Sequence, residues 1–216
     1  KASEYGIFVN FDMENYDRVQ PSFDILEALS NTYDNVGTVI QAYFFRAKED
    51  IESFMKEKDF LGINVTIPYK ETVIPYLDEI SPQALSIGAV NTIVNVNGKL
   101  YGHNTDYFGM LALIKKNNID CKDKKVLILG TGGTSKTAYA VVKDLGAKII
   151  LKASISGAAN AITYEEAVNV HNDVEVIINT TPVGMYPKND ENIIDITKFT
   201  KLNGVIDVVY NPLRTN

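Results

Sequence analysis

An α/β chain built around a doubly wound parallel sheet is the fold class that this sequence predicts. Three observations carry the prediction. Val126-Leu127-Ile128-Leu129 is a continuous apolar run, as expected of a parallel strand covered on both faces. The turn Gly130-Thr131-Gly132-Gly133 follows it and opens a helix over Ser135 to Leu145, with Gly146 as its stop. Three more apolar runs then alternate with helical segments: Lys148 to Leu151, Val174 to Ile178 and Val205 to Val209.

The first half alternates in the same way. Tyr5 to Val9 and the β-branched, aromatic run Thr38 to Phe44 are predicted strands. Ser22 to Leu29 is a predicted helix with Ser22 or Asp24 near its cap. Lys48 to Lys58 places Ile51, Phe54 and Met55 on one helical face. Gly62 to Val65 is a short strand halted by Pro68, and Val73 to Leu77 and Pro82 to Ile87 are short helices. Asn97-Gly98 joins the runs Asn91 to Val96 and Lys99 to Tyr101 as a hairpin. A helix from Tyr107 to Lys116 and the polar segment 117–125 divide the chain into domains at 1–109 and 110–216.

Composition narrows the function classes. The 216 residues are 45% hydrophobic and 22% charged, ordinary values for a globular protein. A net charge of −6 argues against a nucleic-acid or anionic-membrane partner. No apolar run reaches the roughly 20 residues that span a bilayer. The single Cys121 excludes an internal disulfide and reads as a loop thiol, so a reducing, cytoplasmic setting is expected. No metal site is assigned. The chain starts without methionine and stops at Asn216 within a motif, so a longer natural protein is expected.

The densest polar signal lies between Gly62 and Asp106. It comprises Asn64-Val65-Thr66-Ile67-Pro68-Tyr69-Lys70, Gly88-Ala89-Val90-Asn91-Thr92 and Gly102-His103-Asn104-Thr105-Asp106. Together these residues can grip a polyhydroxylated acid and move one proton. A lysine such as Lys70 stabilises a developing oxyanion and delivers a proton, and an aspartate such as Asp106 orients it. In isolation either residue is an ordinary surface charge.

In the second half, small residues at Gly130, Gly132 and Gly133 let a pyrophosphate approach the backbone at a helix start. Thr134 and Ser135 add hydroxyl donors there; the competing reading is a tight turn without ligand. Thr180, in the loop Asn179 to Met185, and Val208, near the end of the fourth strand, are assigned to the same cofactor site. The second strand is followed by Lys152-Ala153-Ser154 with no acid for a ribose 2′-hydroxyl, which favours NADP over NAD.

Taken in order, these motifs closely resemble the shikimate dehydrogenase family over roughly residues 38 to 216. The match continues through Asn179-x-Thr181-Pro182-x-Gly184-Met185 and Asp207-x-x-Tyr210-x-Pro212-x-x-Thr215. The resemblance implies two α/β domains, an N-terminal substrate-binding domain and a C-terminal Rossmann-type NADP(H)-binding domain incomplete at its end. It implies reduction of 3-dehydroshikimate to shikimate in aromatic amino-acid biosynthesis, by a monomer or homodimer. Lys70 and Asp106 match the catalytic pair, and Thr66, Asn91 and Tyr210 match positions at the substrate. His103 and His171 match no functional position.

Three departures accompany the match. The family's His-Ser-x-Ser-Pro, whose serines hold the substrate carboxylate, is replaced by Asp17-Arg18-Val19-Gln20-Pro21; Arg18 can pair a carboxylate bidentately. The arginine expected after the second strand is absent, and segment 152–163 is short. A C-terminal helix carrying a substrate-binding glutamine is missing. The alternatives left open are a quinate/shikimate dehydrogenase with broader substrate or NAD use, and a ligand-binding pseudoenzyme of the same fold.

Overall fold

A computed structural model describes residues 1–12, 15–41, 44–66, 68–157 and 160–212. Residue 67 of the Lys70 motif, 42–43 of the expected strand, 158–159 and 213–216 therefore lie outside the described residues. In chain order the elements are β1 (Val9–Phe11), α1 (Val19–Ser30), β2 (Val36–Thr38), α2 (Ala47–Glu57), β3 (Gly62–Asn64) and β4 (Glu79–Ile80). Next come α3 (Pro82–Ile87), β5 (Thr92–Val96), β6 (Lys99–His103), α4 (Thr105–Lys116), β7 (Lys125–Leu129) and α5 (Gly133–Asp144). The chain continues through β8 (Ile149–Ser154), β9 (Ile162–Thr163), α6 (Tyr164–Val170), β10 (Val176–Asn179) and β11 (Gly204–Asp207). Packing groups them into two units, residues 1–79 with 93–101 and residues 80–92 with 102–216. No helix among the described residues is long and apolar enough to cross a membrane.

In the first unit β1 and β2 pair in parallel, Val9 opposite Val36 and Phe11 opposite Thr38. The expected strand over Tyr5 to Val9 is corrected. Ser3–Tyr5 is a 3₁₀ turn closed by Gly6 at φ 64, and the strand begins only at Val9. The strand expected from Thr38 instead ends there, where β1 ends and the ladder loses its partner. Helix α1 starts three residues before Ser22, continuing a 3₁₀ turn at Tyr16–Arg18 that the Asn15 side chain caps. Pro21 is tolerated because it lies in the first helical turn, where no N–H is required. The start of α1 is held by a small core of Val19, Phe44 and Ala47, against which Phe23, Ile40 and Tyr69 pack.

Helix α2 ends at Lys58, in the left-handed region at φ 55. Its carbonyl accepts from Asn95 Nδ2 (2.7 Å), and its ammonium donates to Gly98 O (2.9 Å) and Asp78 Oδ2 (3.0 Å). The turn Asn97-Gly98 has φ of 53° and 81°, the paired positive values of a type I′ hairpin turn. The sheet here runs β3-β5-β6-β4, with Ile93 and Leu100 buried inside it. The short helix expected over Val73 to Leu77 is a 3₁₀ turn at Ile74–Tyr76.

The second unit holds the sheet of order β11-β10-β7-β8-β9, with all four pairings parallel. Val126 and Ile128 of β7 and Val176 and Ile178 of β10 face the side covered by α4 and α5, with Met110, Ile114, Ala138 and Val141. Leu127, Leu129 and Ile177 face the other side with Ala153, Ala167 and Phe199. Helical or turn segments on both faces make the fold doubly wound. From β7 the chain winds outward to β8 and β9, then returns to β10 and β11, so the winding reverses between β7 and β10. Short crossover helix α6 carries a capping signature, since Thr163 Oγ1 accepts from the Glu166 N–H at 3.1 Å. Cys121 is in a loop as expected, but buried, and burial pushes its thiol up.

Candidate functional site

The glycine turn sits at the carboxyl edge of the parallel sheet, beside the reversal point where open α/β sheets bind ligands. Its three glycines have different physical reasons. Gly130 has φ 105, and a Cβ there would stand 3.0 Å from both Thr180 Oγ1 and Thr181 Cγ2. The positive φ, with these close contacts beside it, therefore favours glycine at 130 without any ligand. A Cβ at Gly132 or Gly133 would meet nothing within 4 Å, and Gly132 has an ordinary φ of −77. No contact among the described residues requires those two to be glycine, whereas a ligand approaching the backbone would. The first bond back into the helix runs from the Lys136 N–H to Gly132 O (3.3 Å). The N–H groups of Gly133, Thr134 and Ser135 precede it at the positive end of the helix dipole, a setting that fits a pyrophosphate. Thr134 is exposed; Ser135 is 1% exposed, so its side chain belongs to the interior.

Neighbouring loops are tied to this turn. Thr180 donates from both N–H (3.0 Å) and Oγ1 (2.6 Å) to Leu129 O, the last carbonyl of β7. Asn179 accepts from the Thr181 N–H (2.9 Å) and Oγ1 (2.8 Å), and its Nδ2 donates to Asp207 Oδ1 (3.0 Å). Asp207 in turn accepts from the Val209 N–H at 2.9 Å. Val208, partly buried against the core, donates its N–H to Asn179 O (3.2 Å). Asn179 and Asp207 carry no site assignment from the sequence, yet they join the ends of two adjacent strands, at paired register. The available signal was that each is the polar residue closing an apolar run. Tyr210 is 84% exposed beyond this network.

The second motif group is also in this unit. Asn104 caps α4, with its Oδ1 accepting from the Tyr107 N–H (3.3 Å) and its Nδ2 donating to Ala89 O (3.0 Å). Asn91, 9% exposed, accepts from the Thr105 N–H (2.8 Å) and donates to Thr105 Oγ1 (3.0 Å). These contacts clasp the segment after α3 onto the head of α4. Asp106 lies in the first turn of that helix and is exposed. Tyr107 OH donates to Asp144 Oδ2 of α5 at 2.6 Å. That bond, with burial, pushes the phenol up to about 12.

The remaining residues belong to the first unit. Lys70, half-buried, sits in the turn after β3, where the Tyr69 N–H bonds to Thr66 O (2.9 Å); the Thr66 residue is exposed. Arg18, exposed, immediately precedes Val19, which shares its core with Tyr69. Gln20 is committed elsewhere: its Oε1 accepts from Arg46 Nη1 and Nη2 (3.2 Å each), and its Nε2 donates to Asp24 (2.9 Å).

Fold and turn together define a Rossmann-type α/β protein with its candidate ligand edge at the strand carboxyl ends. The family model for the shikimate dehydrogenase substrate binding domain matches residues 23–93. The shikimate dehydrogenase (NADP(+)) of Clostridium beijerinckii is 42% identical over 163 residues, 71% of this chain and 60% of that protein. That of Staphylococcus epidermidis is 36% identical over 197 residues, covering 87% of this chain and 70% of its own. Among solved structures, a chorismate mutase/shikimate 5-dehydrogenase fusion protein from Clostridium acetobutylicum superposes with TM-score 0.74 at 30% identity, covering 96% of this chain and 78% of that one. The chain belongs to the shikimate dehydrogenase family. It spans 60 to 62% of the length of several curated relatives it matches.

Proposed function

We propose that this chain carries the NADP-dependent, reversible reduction of 3-dehydroshikimate to shikimate. The observation that supports it most directly is the hydrogen-bonded clasp of Asn91 on Thr105. It holds a substrate-type motif and Asp106 in the same packed unit as the glycine turn. The relatives named as NADP-dependent shikimate dehydrogenases supply the reaction class. In functional terms residues 1–109 form the substrate-binding half and 110–216 the NADP-binding half.

Each residue then has a chemical task. Backbone N–H groups at Gly132 and Gly133, with the Thr134 hydroxyl, hold the pyrophosphate, while Gly130, Thr180 and Val208 shape the edge that receives the dinucleotide. Ser135 contributes only its N–H. NADPH, when bound, supplies a hydride to the ring carbonyl carbon. The Lys70 ammonium stabilises the negative charge growing on the carbonyl oxygen and donates the proton that completes the hydroxyl. Asp106 is the second member of the proposed catalytic pair. Thr66 and Asn91 bind substrate hydroxyls, Tyr210 lies near the substrate, and Arg18 pairs with the carboxylate where the family uses serines.

The test is oxidation of shikimate and quinate with NADP and with NAD, repeated with Lys70→Ala. Shikimate with NADP is the expected best pair, and Lys70→Ala is expected to lower kcat by about 10²–10⁴-fold with KM little changed. Absence of turnover with every pair would overturn the dehydrogenase reading, and a wild-type rate in Lys70→Ala would remove that lysine from the mechanism.

A further inference from the structure

We infer that Tyr107 is a positioning residue for Asp106, holding the head of α4 to α5 through its hydrogen bond to Asp144. This role rests on the proposed function of Asp106 given above and adds the residue that fixes its backbone relative to the glycine turn. Consecutive helical residues point about 100° apart. Asp106 is accordingly exposed, whereas Tyr107 is 6% exposed in the core that α4 and α5 share with Met110, Ile114, Val141 and Val142. The backbone beneath a side chain sets where that side chain stands. Asn104 and Thr105 tie this backbone to the segment after α3, through Ala89 O and Asn91. Tyr107 ties it to a different element, since its hydroxyl donates to Asp144 Oδ2 of α5 at 2.6 Å.

Helix α5 has a task at each end. It begins at Gly133, in the turn proposed to receive the pyrophosphate, and its twelve residues end at Asp144. Such a helix is a rod of about 18 Å, and this one is seated on the sheet by Ala138, Val141 and Val142. The first turn of α4 is thereby fixed to the same helix that opens from the glycine turn. Asp106, next to Tyr107, inherits that placement. A reacting group displaced by about 1 Å can cost about 10²-fold in rate, so a bond that touches no ligand still governs turnover.

The chemistry of the pair suits a permanent link. A carboxylate acceptor makes the phenol's bond about twice as strong as a neutral acceptor would. The bond to Asp144, with burial, pushes the phenol up to about 12, so it remains a donor through the neutral and mildly alkaline range. The ring is also set edge-on to Phe108, with centroids 5.3 Å apart and planes at 80°. A phenylalanine at 107 would bury the same ring in the same core. Only the hydroxyl and its partner on α5 distinguish tyrosine there.

The experiment is steady-state oxidation of shikimate with NADP by wild type, Tyr107→Phe, Asp144→Ala, Asp144→Asn and Asp106→Asn, each checked for folding by circular dichroism. Tyr107→Phe is expected to lower kcat about 10-fold, with KM for NADP within about 2-fold of wild type. Asp144→Ala, at an exposed residue, should do the same and carries the test if Tyr107→Phe does not fold. Asp144→Asn keeps an acceptor oxygen for the phenol and should return kcat to within about 3-fold of wild type. Tyr107→Phe combined with Asp144→Ala should be no slower than either alone, because the same bond is lost in all three. A merely structural role would lower stability in Tyr107→Phe and leave kcat at the wild-type value, which overturns the assignment. Asp144→Asn as slow as Asp144→Ala also overturns it. A wild-type kcat in Asp106→Asn overturns the role of Asp106 and this one with it, whereas a slow Asp106→Asn beside a wild-type Tyr107→Phe overturns this one alone. Absence of turnover in wild type overturns both together with the dehydrogenase reading.

Discussion

Two glycines three residues apart should respond in opposite ways to the same methyl group. At Gly130 the backbone stands at φ 105, which an L side chain adopts at a cost of about 1–3 kcal/mol. The added Cβ would also press on Thr180 Oγ1 and Thr181 Cγ2 at 3.0 Å. Thr180 has little freedom to retreat, because its hydroxyl is held by the 2.6 Å bond to Leu129 O. Losing that bond adds about 1 kcal/mol, so Gly130→Ala is expected to destabilise by about 2–4 kcal/mol. Gly133→Ala meets nothing within 4 Å and gains helix propensity, so its stability should be unchanged or higher by up to about 1 kcal/mol. Its dinucleotide affinity, however, should fall about 10-fold as the methyl obstructs the backbone approach. Urea denaturation followed by far-ultraviolet circular dichroism measures the first pair of effects, and calorimetric titration with NADPH the second. The reasoning is refuted if Gly130→Ala stays within about 0.5 kcal/mol of wild type, or if Gly133→Ala is the less stable of the two.

Other consequences follow from the same unit. Tyr107 titrates at about 12 in the folded chain against 10.0 when unperturbed, through its bond to Asp144 and then burial. A raised value means that this contribution is complete below pH 10 and is lost as pH rises through about 12. Wild type should therefore lose stability more steeply than Tyr107→Phe between pH 10 and 12, as denaturation midpoints at stepped pH will show. Asn104→Ala removes the α4 cap and the donor to Ala89 O together. It should cost about 2–3 kcal/mol in urea denaturation, well above the cost of Asn117→Ala at the exposed far end of the same helix.

Legibility varied with the kind of residue. The buried strands were readable because both faces of β7 and β10 are covered, which leaves unbroken apolar runs at Val126–Leu129 and Val176–Ile178. The hairpin was readable because Asn97-Gly98 fits a turn that needs two positive φ values. The first half was less so. Tyr5 to Val9 and Thr38 to Phe44 have strand composition, but β1 and β2 each pair over only three residues, and pairing is not written in one segment alone. Helix α6 was missed although Thr163-x-x-Glu166 marks its start.

What the sequence determined by itself is the alternation of elements, the glycine turn and the polar motifs, since these depend on periodicity and on residue type at short range. Tertiary structure alone decided which glycine is held by packing and which is open, because that depends on Thr180 and Thr181, some fifty residues away. It likewise decided that Ser135 turns inward and Thr134 outward, and that Gln20 is committed to Arg46 and Asp24. The same holds for Ser154, whose hydroxyl is buried on the α5 face of β8 without a partner among the described residues. The physical reason is common to all four. A side chain's chemistry is local, but its burial and its partners are set by which strands and helices the fold brings beside it.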